Sequence, residues 1–273
     1  MLVVALASAA CTAGESGLVS GAPVRPTQPP ATAVAPPAAE AATPTSLAAE
    51  LASIEVSIRS PAAAEGNIGD LGRRQQGLYR VLADHPEWQP EVARLAPTEV
   101  RAAVEANAAA AMELRGLAEP KAELPRWTIV APPPVPTLVA HYRAAGAAIG
   151  VPWEYLAAIH LVETRMGRIR GDSSAGAQGP MQFLPTTWAI YGEGGDINSD
   201  RDAIFAAARL LKSRGAPADM ARALFAYNNS TRYVRAITAY AEVIGADERT
   251  YAAYHAWQVY YGDRLLPEGF TNP

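Results

Sequence analysis

Helical periodicity is the feature that most constrains the fold of this chain. Between residues 138 and 265, apolar side chains recur every three or four positions, in segments bounded by capping serines and by glycines. Two of these faces are Leu138, Tyr142, Ala145 and Ile149 before Gly150, and Tyr233, Ile237, Tyr240 and Ile244 between Ser230 and Gly245. Alternation long enough for a strand is not seen. The sequence therefore predicts a mainly α fold.

Prolines divide the rest of the chain. Residues 12–45 are rich in Ala and Pro with few charges, so they predict a disordered tether. Residues 46–118 have helical spacing and are expected to form a small bundle or to lean on the next domain. Residues 119–137 contain PRWTIVAPPPVP, which predicts a stiff linker or a strap. Residues 138–265 are the predicted main domain.

The first eleven residues predict export. Cys11 is the chain's one cysteine, so an intrachain disulfide is excluded, and it follows the apolar run MLVVALASAA. This pattern resembles the end of a bacterial lipoprotein signal, whose cysteine is lipidated, although no Lys or Arg precedes the run. We expect a cell-envelope or extracellular protein, anchored through Cys11 or carrying a chance buried cysteine there. Beyond this run, the sequence shows no stretch long and apolar enough to span a bilayer.

Charge and ligand patterns argue against several classes of protein. The net charge is −4 and no basic patch occurs, so nucleic-acid binding is not expected. His160 and Glu163 are three residues apart, but no other histidine or cysteine has a spacing that would complete a metal site. The sequence therefore predicts no metal or other cofactor. We expect a monomer.

Glu163 is out of place in its helix. The helix is predicted to start after Gly150, with Pro152 in its first turn, and to stop at Gly167. Glu163 then falls inside the apolar face, roughly 20° from Leu156 on a helical wheel. Burial disfavours the charged form of a carboxylate and raises its pKa. Glu163 is therefore either a structural glutamate with a buried partner or an acid kept protonated for catalysis.

Three motifs in order carry a resemblance. They are Glu163-Thr164, the run from Ser173 to Gln182 that reads SSAGAQGPMQ, and Ala226-Tyr227-Asn228. Together they resemble the catalytic domain of the soluble lytic transglycosylase family, related to goose-type lysozymes, over roughly residues 138–245. Thr164 replaces the family's usual serine and Pro180 its usual leucine. The gap between Glu163 and Ser173 is one residue longer than the family pattern.

The resemblance implies a lysozyme-like helical domain that cleaves peptidoglycan. The bond cut is the β-1,4 bond between N-acetylmuramic acid and N-acetylglucosamine, with Glu163 as the single acid and base and a 1,6-anhydromuramoyl product. It also implies substrate-binding residues, which are Ser173, Met181, Gln182, Leu184, Tyr227 and Asn228.

Each of these residues has an expected role and an ordinary alternative. Gln182 would bind acetamido groups, and the Tyr227 hydroxyl would reach and orient Glu163. Met181 and Leu184 would line the groove or belong to the core. Beyond these, Ser173 would bind substrate or Glu163, or act as a turn serine, and Asn228 would bind sugar or cap a helix.

Two other functions stay open at this stage. A muramidase that uses water needs a second carboxylate about 5–9.5 Å from the first. None of the nearby acids has a clear claim to that role; they are Glu154, Asp172, Glu193, Asp196, Asp200 and Asp202. The other alternative is a catalytically silent lipoprotein that binds peptidoglycan.

Overall fold

The helices expected from periodicity make up most of the structure. The computed structural model describes residues 43–61, 67–117 and 123–272. Within those ranges it has eleven α-helices and four short strands, so the prediction of a mainly α protein is confirmed. The helices are α1 Pro44–Ile58, α2 Ile68–Asp84, α3 Gln89–Leu95, α4 Thr98–Arg115, α5 Val135–Ile149, α6 Trp153–Thr164, α7 Pro185–Tyr191, α8 Asp200–Ser213, α9 Met220–Tyr227, α10 Thr231–Ala246 and α11 Arg249–His255.

Helix α6 lies at the centre of the fold. Every residue from Leu156 to Thr164 is buried, because α5, α8 and α10 all pack around this helix. The helical wheel predicts a single apolar face, so the sequence underestimates the burial of α6. The helix also ends earlier than Gly167, since Arg165 and Met166 both take the left-handed conformation. Such backbone geometry cannot continue a right-handed helix.

The N-terminal helices share the core of the main domain. Helices α1 to α4 pack on one another, α4 also lies against α10, and α2 lies against α11. Leu51 and Leu114 belong to the same buried cluster as Leu156 and Ile237. The described part of residues 46–118 is thus both a small bundle and a layer on the helices that follow, which are the two arrangements that the sequence leaves open.

A buried polar network joins this layer to α11. The fully buried Glu55 carboxylate accepts hydrogen bonds from the Tyr79 hydroxyl at 2.6 Å, Gln75 Nε2 at 2.9 Å and Asn107 Nδ2 at 3.2 Å. The Tyr254 hydroxyl of α11 donates to Asn107 Oδ1 in turn. Buried polar groups are costly unless they are satisfied, so this network favours one fixed arrangement of α1, α2, α4 and α11.

Two small antiparallel sheets were not predicted. Strand β1 (Thr128–Ile129) pairs with β2 (Ile169–Arg170), and β3 (Val259–Tyr261) pairs with β4 (Arg264–Leu266). Strands of two or three residues are too short to show alternation in a sequence. The Ile129 amide also donates to the Phe270 carbonyl at 2.8 Å. The centre of the Pro-rich segment is therefore a strap, and α5 begins at Val135 within the predicted linker.

Within the ranges that the structure describes, no helix has the length and apolar character to cross a membrane. The predicted signal segment with Cys11, and the tether as far as residue 42, lie outside the described residues. Helix α1 begins at Pro44, inside the predicted tether, because the Thr43 side chain caps it by accepting from the Ser46 amide.

Candidate active site

Glu163 is a buried acid at the centre of the site. It lies in the last turn of α6 with 4% of its surface exposed. The Tyr233 hydroxyl donates a hydrogen bond of 2.7 Å to its Oε1 atom. Burial raises the pKa of the Glu163 carboxyl to about 8, and the hydrogen bond from Tyr233 opposes that rise. At neutral pH this side chain is therefore mostly a protonated acid.

Tyr233 contacts Glu163, although the sequence motifs do not single it out. It lies in the first turn of α10, where its amide donates to the capping Ser230 hydroxyl at 3.4 Å. Helix α10 packs against α6, which brings the tyrosine onto Glu163. The available signal was a hydroxyl on an otherwise apolar helix face, because a buried tyrosine hydroxyl usually needs a hydrogen-bond partner.

The predicted hydrogen bond between Tyr227 and Glu163 is wrong. The Tyr227 hydroxyl donates to the Met181 carbonyl at 2.6 Å, because Tyr227 ends α9 beside the loop that carries Met181. Its ring lies parallel to that of Tyr233, with the centroids 6.3 Å apart. Burial, followed by the Glu163 carboxylate, raises the pKa of Tyr227. Tyr227 is thus close to the acid, but it supports the loop and the second tyrosine.

Thr164 ties the acid's helix to the loop that follows. Its buried hydroxyl donates to the Pro180 carbonyl at 2.6 Å and accepts from the Gly167 amide at 3.0 Å. A serine would place a hydroxyl in the same position, so Thr164 keeps the polar group of the serine that is usual in the motif it resembles. This contact fixes the distance between the Glu163 turn and the glycine-rich loop.

The loop ends in a tight hairpin that needs Gly179. Gln178 and Phe183 exchange backbone hydrogen bonds of 2.8 and 2.9 Å across the turn. Gly179 has φ +72°, and a Cβ there would lie 1.9 Å from the Ile197 carbonyl oxygen. Only glycine combines that conformation with such a close approach. The glycine of the motif therefore has a packing role in addition to any role in binding.

Two polar side chains of the loop make their hydrogen bonds within the loop. The Ser173 hydroxyl accepts from the Ala175 amide at 3.2 Å and the Ala177 amide at 2.9 Å, which is the arrangement of a turn serine. The Gln182 side chain donates to the Gly179 carbonyl at 2.9 Å. Both residues are half-buried, and their roles toward a substrate stay predictions.

Three further candidates differ in exposure. The Met181 side chain is fully buried in the main core, while 42% of the Leu184 surface is exposed. Leu184 is therefore the apolar residue of this loop that is available to line a groove. Asn228 caps the end of α9 through its backbone amide, and its buried Oδ1 atom has no partner among the described residues.

A second cluster of buried polar side chains packs around α6. The Tyr142 hydroxyl and His160 Nδ1 share a hydrogen bond of 2.7 Å, and the Tyr251 hydroxyl donates to that of Tyr142 at 3.1 Å. His160 Nε2 approaches Asp200 Oδ1 to 3.4 Å. Burial lowers the pKa of His160, although Asp200 opposes the shift. His160, one turn before Glu163, is therefore a packed neutral side chain of the scaffold.

Most of the acids considered as a second carboxylate have polar or charged partners of their own. Burial and Tyr233 account for the shifted pKa of Glu163, with no carboxylate of the described residues adding to it. The paired acids, with their N–O distances, are Asp172 with Gln178 at 3.2 Å, Asp196 with the Asn198 amide at 2.9 Å, Asp200 with Arg170 at 3.4 Å, Glu193 with Arg209 at 2.7 Å and Asp202 with Arg201 at 3.0 Å. The arrangement is that of a single neutral acid with a tyrosine beside it.

A cavity of about 210 Å³ lies elsewhere, between α2, α3 and α4. Its walls are mainly apolar, including Leu82, Val92 and Val104, and Glu105 on its edge is exposed. It has no buried carboxylate, unlike the site around Glu163. The described residues also contain no cluster of three or more His, Cys, Asp or Glu side chains arranged to hold a metal ion.

Comparison of the chain with known proteins gave no relative. No family model, no curated protein and no solved structure matches it. The chemical interpretation of the site therefore depends on the geometry of Glu163 and its neighbours, together with the motif resemblance.

Proposed function

We propose that this chain is a peptidoglycan lytic transglycosylase with a lysozyme-like catalytic domain and a single acid and base, Glu163. The observation that carries the proposal is the buried carboxyl of Glu163, whose pKa is raised to about 8 and whose Oε1 is held by Tyr233. Acid catalysis is most effective when the pKa of the acid lies near the working pH. The motifs around Glu163 supply the substrate class.

In the first step Glu163 acts as an acid. Its proton passes to the oxygen of the β-1,4 bond, so that bond breaks and the N-acetylglucosamine side leaves as an alcohol. The acetamido group of the substrate's own muramic acid stabilises the positive charge at the anomeric carbon. Tyr233 then stabilises the new Glu163 carboxylate, because its hydroxyl already donates to Oε1.

In the second step Glu163 acts as a base. The carboxylate removes the proton of the C6 hydroxyl on the muramic acid, and the C6 oxygen closes the 1,6-anhydro ring. Glu163 ends protonated, as it began, so no water and no second carboxylate are consumed. A single-carboxyl mechanism of this kind agrees with a site in which the acids at 172, 193, 196, 200 and 202 have polar or charged partners of their own.

Product analysis of digested cell wall tests the proposal. We expect the full chain to release fragments ending in 1,6-anhydro-N-acetylmuramic acid from purified peptidoglycan, detected by mass spectrometry. Glu163→Gln should release none while staying folded, because glutamine has nearly the same shape but no acidic proton. Glu154→Gln is the matched control, since Glu154 lies in the first turn of the same helix, and it should release the same fragments as the unmutated chain.

The other products have defined meanings. Fragments with free reducing ends, released by the unmutated chain, would identify a muramidase that uses water. Binding to peptidoglycan with no fragments, for both the unmutated chain and Glu163→Gln, would identify a binding module and contradict the enzyme proposal.

A further inference from the structure

We propose that Glu113 of α4 is a positioning residue for Glu163. It would hold the start of α10 so that the Tyr233 hydroxyl stays on the Glu163 carboxyl. The inference deepens the proposed function and rests on it. It also gives the N-terminal helices a part in the chemistry, although the motif resemblance begins only at residue 138.

Two arginines of α10 bind the Glu113 carboxylate. This carboxylate is 8% exposed and lies in the last turn of α4. Arg235 binds it through two atoms, Nε to Oε1 at 2.5 Å and Nη2 to Oε2 at 2.9 Å. Arg232 Nη1 donates to Oε2 as well, at 3.1 Å. A two-atom guanidinium contact fixes direction as well as distance.

The positions of the two arginines connect Glu113 to Tyr233. Arg232 and Arg235 stand on either side of Tyr233 in the first turns of α10. That helix lies between α4 and α6, packing on both. Glu113 therefore holds α10 at the turn from which the Tyr233 hydroxyl reaches Glu163 at 2.7 Å.

The exposure of the two arginines distinguishes positioning from simple stabilisation. Their side chains are about half exposed, with 47% of Arg232 and 56% of Arg235 accessible to water. Water screens ion pairs whose cations are this exposed, so the two-atom contact fixes the geometry of α10 more than it adds stability. A hydrogen bond, by contrast, weakens steeply once its distance or angle is lost. We therefore expect that loss of the Glu113 carboxylate mainly weakens the hydrogen bond between Tyr233 and Glu163.

Titration of the Glu163 carboxyl by carbon-13 NMR tests the inference on the full chain. Protein labelled at glutamate gives a Glu163 signal that is identified by its loss in Glu163→Gln. Tyr233→Phe removes a bond that favours the carboxylate, so we expect the apparent pKa of Glu163 to rise by roughly one unit. Glu113→Gln should also raise the apparent pKa of Glu163, by an amount no larger than the shift caused by Tyr233→Phe. Glu105→Gln, an exposed change on the same helix, should leave it unchanged.

A combined variant makes the test specific. If Glu113 acts through Tyr233, then Tyr233→Phe with Glu113→Gln shifts the titration no further than Tyr233→Phe alone. Should Glu113→Gln fail to fold, Arg235→Gln weakens the same contact from its exposed side and has the same expected result. If the apparent pKa of Glu163 is the same in the unmutated chain and in the Glu113 and Arg235 variants, the inference is overturned, even if those variants are less stable.

The two proposals fail in different ways. If the unmutated chain does not cleave peptidoglycan but the Glu163 titration still responds to Glu113, the proposed function is wrong and the positioning role stands. If the chain cleaves peptidoglycan and the titration does not respond, only the positioning role is wrong. With both correct, Glu113→Gln should lower kcat several-fold with little change in KM, because substrate contacts are untouched.

Discussion

At the scale of single residues, burial decides the chemistry of Glu163. A carboxylate taken out of water is disfavoured, and no positively charged side chain compensates Glu163 among the causes of its shifted pKa. Tyr233 donates a hydrogen bond to Glu163 that stabilises the ionised form and limits the rise of its pKa. The residue can therefore exist in both protonation states near neutral pH, as an acid that becomes a base requires.

The stability of the protein should report this shift. The Glu163 pKa is about 8 when folded and near 4.5 when unfolded, so the folded chain binds more protons between those values. The free energy of unfolding contributed by Glu163 is therefore fully present below pH 4.5 and is lost as pH rises through 8. Relative to Glu163→Gln, the unmutated chain should lose on the order of 5 kcal/mol of unfolding free energy as pH rises through this range, since one pKa unit is about 1.4 kcal/mol.

Urea denaturation of both proteins between pH 4 and 9 measures this difference. Parallel stability profiles over the whole range would mean that Glu163 ionises normally in the folded chain.

The pH dependence of cleavage should follow the same group. We expect kcat/KM to fall about tenfold per pH unit above pH 8, where free Glu163 loses its proton. Tyr233→Phe should move this decline to higher pH, because the lost hydrogen bond favours the carboxylate. A decline centred near pH 5 would assign the essential acid to an ordinary exposed carboxyl instead.

At the scale of elements, the end of α6 and the loop that follows form one unit. Thr164 is the link, through its bonds to the Pro180 carbonyl and the Gly167 amide. Gly179 adds a second constraint by letting the hairpin approach the Ile197 carbonyl. Glu163 precedes the first of these contacts by one residue, so the loop and the acid are positioned together.

Two substitutions at Thr164 separate its hydroxyl from its methyl group. Thr164→Val removes the partner of two buried backbone groups and should lower the free energy of unfolding by about 2–3 kcal/mol. Thr164→Ser keeps the hydroxyl and loses one methyl group, so the cost should stay below about 1 kcal/mol. Denaturant midpoints at constant slope measure both changes. Equal losses of stability for the two variants would show that the Thr164 hydroxyl does not stabilise the protein.

The sequence predicted elements better than it predicted contacts between them. Periodicity and capping residues located the helices of the main domain, and the apolar face located Glu163, because these are local patterns. Choosing between Tyr227 and Tyr233 required knowing how α10 crosses α6, which no local pattern contains. The left-handed Arg165 and Met166 were missed for the same reason, since tertiary packing imposes them.

At the scale of the whole molecule, residues 43–61 and 67–117 belong to the same structure as the site. Gly72 shows how closely the two parts approach, because a Cβ on this residue of α2 would lie 2.2 Å from the Ala253 carbonyl oxygen of α11. Glu113 makes a second connection, to α10. Together they predict that residues 138–265 do not behave as an independent domain.

Two glycines of α2 provide a matched test of that contact. Gly77→Ala meets nothing within 4 Å, so the better helix former should stabilise the protein by about 0.5–1 kcal/mol. Gly72→Ala has the same intrinsic benefit but must push α11 away, and it should destabilise by about 1–3 kcal/mol. Thermal denaturation compares them. Equal stabilisation by both changes would show that α2 does not pack on α11 in solution.

In the proposed mechanism one buried carboxyl, Glu163, cleaves the glycan by passing a proton to the leaving oxygen and recovering one from the C6 hydroxyl. Cleavage of purified peptidoglycan in water enriched in oxygen-18, read by mass spectrometry, tests this mechanism. We expect anhydromuramoyl ends that carry no oxygen-18, formed by the unmutated chain and not by Glu163→Gln. One oxygen-18 atom at the muramic acid end of each new fragment would contradict it, because water would then be the attacking group.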